Sequence, residues 1–141
     1  MTANSTVERD RPPVTGAEID FAGLHLLVDI WEADSLVDPD RIERSLRRAA
    51  EAAGATILHG HFHRFSSGPG VSGVLVLAES HISVHTWPAE RFAAIDIYMC
   101  GKCDPRDALP VLETEFSGRM EVRECSRGRR QPGPDIVTIA P

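Results

Sequence analysis

Val71-Ser72-Gly73-Val74-Leu75-Val76-Leu77-Ala78-Glu79-Ser80-His81-Ile82-Ser83-Val84-His85-Thr86-Trp87-Pro88 is the stretch on which the fold turns. Residues 71–78 are rich in Val and Leu and read as one strand. Residues 81–87 alternate polar and apolar side chains and read as the next, until Pro88 stops the ladder. Glu79-Ser80 breaks the pattern between them. Upstream, residues 66–70 hold two serines, two glycines and a proline, a turn signal, and residues 55–65 read as the preceding strand. Further back, residues 40–54 place Ile42, Leu46, Ala49 and Ala53 four, three and four apart. That is an amphipathic helix, with Asp40 as its cap and Gly54 just past its end. Residues 24–31 form a strand with Leu24, Leu26, Val28 and Ile30 on one parity and His25, Asp29 and Trp31 on the other.

Downstream, residues 92–99 give a fifth strand. Asp104-Pro105 then opens a helix to about Phe116, which Pro110 shortens. Residues 120–124 and 135–139 are short strand candidates around an Arg- and Gly-rich stretch, 126–133. Residues 1–18, polar and with Pro12 and Pro13, read as a flexible N-terminal tail before a single domain over 19–141. This order predicts the α+β class: an antiparallel sheet with helices on one face. The other face needs a cover, and a second copy of the chain would supply one.

Hydrophobic residues make up 42% and charged residues 26% of the 141, as in a globular domain, and no apolar run reaches the roughly 18 residues of a spanning helix. With no secretory signal, the expected location is the cytoplasm. A net charge of -6 argues against nucleic acid or an anionic membrane as partner and suits a small cationic substrate. Cys100, Cys103 and Cys125 are an odd set in such a chain and read as thiols. Lys102 is the only lysine. It lies beside a glycine with no phosphate-cradling loop nearby, which argues against pyridoxal phosphate.

Ser72, Ser80, His85 and Cys100 interrupt apolar strands with polar groups. Singly, each has a structural reading: a strand serine, a surface histidine, a small buried thiol. Together, the string from Glu79 to Pro88 resembles the self-processing site of the bacterial S-adenosylmethionine decarboxylases. The resemblance runs from about Gly23 to Gly128 and takes in Gly23, His25 and Leu26, Gly54 to Thr56, Phe62-His63-Arg64-Phe65, Gly70-Val71-Ser72-Gly73, Ala93-Ala94-Ile95-Asp96 and Cys100-Gly101.

That resemblance implies a pyruvoyl-dependent decarboxylase of polyamine biosynthesis. Ser80 would attack the Glu79 carbonyl and divide the chain into 1–79 and 80–141, becoming the pyruvoyl group. Ser72 and His85 would serve this processing, His85 as base, and Cys100 would return a proton to the substrate α-carbon. No metal and no pyridoxal phosphate would take part, the pyruvoyl carbonyl acting as electron sink. It further implies a homodimer stacked as a four-layer αββα sandwich, with active sites near the interface that draw on both chains.

The pattern is broken at Ala89, where the family carries a glutamate that holds the ribose of S-adenosylmethionine. A methyl cannot accept hydroxyl hydrogen bonds, and losing a charged acceptor costs about 1.5–3 kcal/mol. Glu90 is adjacent: one step along a strand would point it to the opposite face, whereas on a loop after Pro88 it would still reach. Phe65 keeps the position associated with adenine stacking. The resemblance includes family members that decarboxylate L-ornithine or L-arginine with the same pyruvoyl machinery, and the loss at Ala89 tips the substrate reading towards these, with Asp29, Glu32, Glu90 or Asp96 meeting the distal cation. S-adenosylmethionine, decarboxylated to supply aminopropyl groups for spermidine, is the alternative. Two further readings compete: a metal protein using His59, His61 and His63 or the Cys100-x-x-Cys103 pair, and a non-catalytic member of the family.

Overall fold

A computed structural model describes residues 22–129 together with Val137 and Ile139. The tail expected over 1–18 lies outside the described residues, as does the strand expected over 135–139 apart from Val137 and Ile139, which are exposed and stand in no element. The chain runs β1 (Gly23–Trp31), α1 (Pro39–Ala52), β2 (Ile57–Arg64), β3 (Val71–Leu77), β4 (Ser80–Trp87), β5 (Phe92–Cys100), α2 (Leu109–Phe116) and β6 (Arg119–Arg127). The strands make one sheet in the order β2-β3-β4-β5-β1-β6, with every neighbouring pair antiparallel. This is the expected α+β architecture with both helices on one face.

Alternation decides which face is which. Leu24, Leu26, Val28 and Ile30 of β1, Leu75 and Leu77 of β3, Ile82 and Val84 of β4, and Ile95, Ile97 and Met99 of β5 are buried beneath the helices. Ile42, Leu46 and Ala49 of α1 and Leu112 and Phe116 of α2 close over them. Each large side chain buried there contributes roughly 1.5–3 kcal/mol relative to exposure. The opposite face carries His25, Leu27, Asp29 and Trp31 and their neighbours on β3, β4 and β5. Leu27, Val76 and Trp87 stay more than two-fifths exposed on it.

Three boundaries differ from those expected. The cap of α1 is Asp38, not Asp40: its carboxylate accepts from the Asp40 N–H at 3.0 Å, and Pro39 opens the helix because it has no N–H to leave unpaired. The second helix starts as a tight turn, Pro105–Ala108, and becomes α-helical only from Leu109, because Pro110 cannot donate within a continuous helix and is admitted in a first turn. Strand β6 runs to Arg127 rather than Glu124 because it pairs with the whole of β1, from Gly23↔Arg127 to Trp31↔Arg119.

Glu115 ties α2 to α1. It accepts from Arg48 at 2.6 Å and from the buried Ser45 hydroxyl at 3.0 Å. The Arg48 hydrogen bond, helped by Ser45 and opposed by burial, holds this carboxyl below the usual carboxylate range. Its contribution is complete above the unfolded-chain value and is lost as pH falls through the lowered folded value. Denaturant unfolding between about pH 6 and about pH 3 should therefore show a shallower acid loss for Glu115→Gln than for the parent chain. Equal slopes would refute the assignment.

Candidate active site

The connection between β3 and β4 is only Ala78-Glu79, because Leu77 pairs directly with Ser80. Closing so short a link forces Ser80 to φ +140°, a conformation that side-chain-bearing residues avoid and that costs of order 1–3 kcal/mol. Thr56 straps the link in place: its N–H donates to the Glu79 carboxylate at 2.9 Å, and its carbonyl accepts from the Ala78 N–H at 2.9 Å. The Glu79 carbonyl oxygen then lies at the end of β5, accepting from the Cys100 N–H at 3.0 Å and the Cys100 thiol at 3.1 Å. The Ser80 hydroxyl is 4.0 Å from that thiol. Two donors thus converge on the one oxygen that would gain charge if Ser80 Oγ added to its carbon.

Ser72 and His85 stand directly opposite each other on β3 and β4, with Ser72 Oγ 2.8 Å from His85 Nδ1. His85 is exposed on the open face of the sheet. Five residue steps separate it from Ser80, about 16 Å along an extended strand. The four polar residues picked out in the sequence therefore form two half-sites within one chain, Ser80 with Cys100 and Ser72 with His85.

Beside the second half-site is a hollow of about 440 Å³ whose walls include Phe65, Ser72, His85, Trp87, Ala89 and Glu90. Residues Pro88–Glu90 form a 3-10 turn, not a strand. The alternation that would turn Glu90 away from Ala89 does not operate there, and both side chains border the same hollow. Trp87 as a second aromatic wall of the hollow, with Phe65, was not anticipated; its exposed parity at the end of β4, next to Pro88, was the available signal.

The carboxylates considered for a cationic group differ in availability. Asp96 is fully engaged, accepting from Ser83 and lying 2.6 Å from His25 Nε2 and 3.1 Å from His81 Nε2. Asp29 pairs with Arg123 at 3.0 Å. Glu32 and Glu90 are exposed. Among the described residues, the set whose ligand atoms converge as a metal site would require is His25, His81 and Asp96, within 4.8 Å, and not the row His59, His61 and His63, which is exposed along β2. Arg127 approaches His25 Nδ1 at 3.0 Å. A guanidinium only donates, so Nδ1 accepts and Nε2 keeps the proton it gives to Asp96. That arrangement uses the lone pair a cation would need. The Cys100-x-x-Cys103 pair is divided by burial: Cys103 is buried, and burial, with the nearby Glu79 and Cys100, pushes its thiol up, away from the thiolate a metal binds.

Comparison with known proteins places this fold among the decarboxylases. The solved structure of the adenosylmethionine decarboxylase from Aquifex aeolicus superposes with a TM-score of 0.70 at 30% identity, over 82% of this chain and 98% of that one. The chain belongs to the S-adenosylmethionine decarboxylase family, whose model matches residues 24–128, and so to the pyruvoyl-dependent carboxy-lyases. It is similar to the S-adenosylmethionine decarboxylase proenzymes of Methanococcus aeolicus, 44% identical over 110 residues, and of Thermomicrobium roseum, 38% identical over 108; each match covers 75% of this chain and 93% of the relative. Among the described residues no helix is long and apolar enough to cross a membrane.

Proposed function

We propose that the chain cuts itself between Glu79 and Ser80 and that the product decarboxylates S-adenosylmethionine. The observation that carries the first part is the Glu79 carbonyl, held by the Cys100 N–H and thiol beside a strained Ser80. Ser80 Oγ adds to the Glu79 carbonyl carbon, the Glu79–Ser80 C–N bond breaks, and the nitrogen takes up the proton, leaving an ester. A base removes the Ser80 α-proton, and the Cβ–Oγ bond breaks to release the Glu79 carboxylate. Water then replaces the nitrogen, which leaves as ammonia. Residues 1–79 and 80–141 remain associated through the sheet.

The base is His85, oriented by Ser72. Since about 16 Å separates the half-sites in one chain, the base comes from a second copy stacked against the open face. The pyruvoyl group formed at position 80 supplies a carbonyl that draws off the electron pair freed as carbon dioxide leaves. Cys100, whose thiol lies beside the Glu79 carbonyl and the Ser80 hydroxyl, delivers the proton that replaces it. Cys100→Ala should lower carbon dioxide release by roughly 10²–10⁴. It should slow cleavage less, because the backbone N–H still holds the Glu79 oxygen; unaltered turnover would refute the role.

S-adenosylmethionine is favoured by the aromatic walls Phe65 and Trp87, which suit a purine, and by Glu90 beside Ala89 as an acceptor for the ribose. The product would supply aminopropyl groups for spermidine, and the reduced thiols accord with a cytoplasmic enzyme. L-ornithine or L-arginine is the second reading, favoured by the methyl of Ala89, with Glu90 then meeting the distal cation. Carbon dioxide release from the three compounds side by side decides: turnover of an amino acid but not of S-adenosylmethionine overturns the first reading.

A further inference from the structure

We infer that Cys100 and Cys103 close a peroxide-driven disulfide that withdraws Cys100 from Ser80, so that oxidation silences the half-site and thiol reductants restore it. Strand β5 ends at Cys100, and a tight turn at Gly101 and Lys102 brings the chain to Cys103. Gly101 takes the φ of +69° that such a turn needs, with open space around it. The first and last Cα of a four-residue turn lie within about 7 Å, and a disulfide spans roughly 4.4–6.8 Å. Cys125, the other cysteine, is on β6, with β1 between it and β5.

The two thiols are unequal in the way this chemistry requires. Cys100 is half-exposed and opens onto the Ser80 hydroxyl. Cys103 is 5% exposed and its thiol is kept protonated by burial, a poor first target. Peroxide therefore meets Cys100 first. The Cys100 thiolate attacks one peroxide oxygen, the O–O bond breaks and hydroxide leaves, giving a sulfenic acid. The Cys103 sulfur then attacks Cys100 Sγ, the S–O bond breaks, and water leaves with the Cys103 proton. Peroxide is the oxidant and both sulfurs are oxidised. In the disulfide, Cys100 has no S–H to offer the Glu79 carbonyl or the substrate. The loss of activity rests on the proposed role of Cys100; the formation of the disulfide does not.

Lys102, the single lysine, makes the test direct, because trypsin cuts between the two cysteines. Self-cleaved enzyme is treated with hydrogen peroxide, alkylated and digested without reductant, alongside Cys103→Ala and Cys125→Ala. The expected result is a linked pair of peptides, 92–102 with 103–106, in the parent and in Cys125→Ala. At least about a tenfold fall in carbon dioxide release should accompany it, reversed by dithiothreitol. Cys103→Ala should start active and be inactivated irreversibly, as its sulfenic acid passes to the sulfinic acid. Inactivation without the linked pair, a link to Cys125, or full recovery of Cys103→Ala by dithiothreitol overturns the inference. A linked pair in enzyme that still turns over at full rate overturns the switch and, separately, removes Cys100 from the proposed function.

Discussion

Ser80→Ala should leave the chain as one 15.4 kDa species on a denaturing gel and release no measurable carbon dioxide. The attacking oxygen is gone, and the groups around it cannot stand in. The Cys100 thiol is hydrogen-bonded to the Glu79 oxygen, where it stabilises charge, and the Thr56 strap holds the peptide without touching its carbon. Without cleavage there is no carbonyl at position 80 and no electron sink. The fold should survive. Ala at φ +140° bears the same backbone strain as Ser, and the hydroxyl is only a 4.0 Å neighbour of Cys100, so unfolding stability should stay within about 1 kcal/mol of the parent. A folded Ser80→Ala chain that still splits, or still turns over, would remove Ser80 from its place.

The sheet was legible because alternation maps directly onto burial: Leu24, Leu26, Val28 and Ile30 went to the helix side and His25, Asp29 and Trp31 to the other. Boundaries set by pairing were not. Nothing in the composition of residues 125–127 says strand; they are strand because β1 extends far enough to hold them. Asp38 and Asp40 flank the same proline, and only backbone direction separates cap from first turn. Ser72, Ser80, His85 and Cys100 could be read as polar interruptions and as a motif. What they face could not. The second donor to the Glu79 oxygen is a backbone N–H, and the strain at Ser80 comes from how tightly β3 and β4 are joined. For Glu90 the sequence left a strand and a loop after Pro88 both open; the 3-10 turn decides for the second, and Glu90 borders the hollow.

Inactive Ser80→Ala and inactive His85→Ala, co-expressed with different tags, should together recover activity. Ser80 opens β4 and His85 lies five steps along it, about 16 Å away, too far for one chain to bring the base to its own α-proton. The open face carries Trp31 stacked on Phe92 at 4.3 Å and Phe92 on Trp87 at 5.3 Å in the row beyond His85, and exposed Leu27 and Val76 in the rows between His85 and Ser80. An apolar patch of that kind is suited to burial against its own copy. In a two-fold pair of the two variants, Ser80 and Cys100 of the His85→Ala chain meet Ser72 and His85 of the Ser80→Ala chain, giving one complete site. The other site lacks both groups. Random pairing places half of the chains in mixed pairs with one working site of two, so about a quarter of parental activity should return. Cleavage should appear in the tagged His85→Ala chain alone. If each chain holds a whole site, co-expression yields neither cleavage nor carbon dioxide, and the shared-site reading fails.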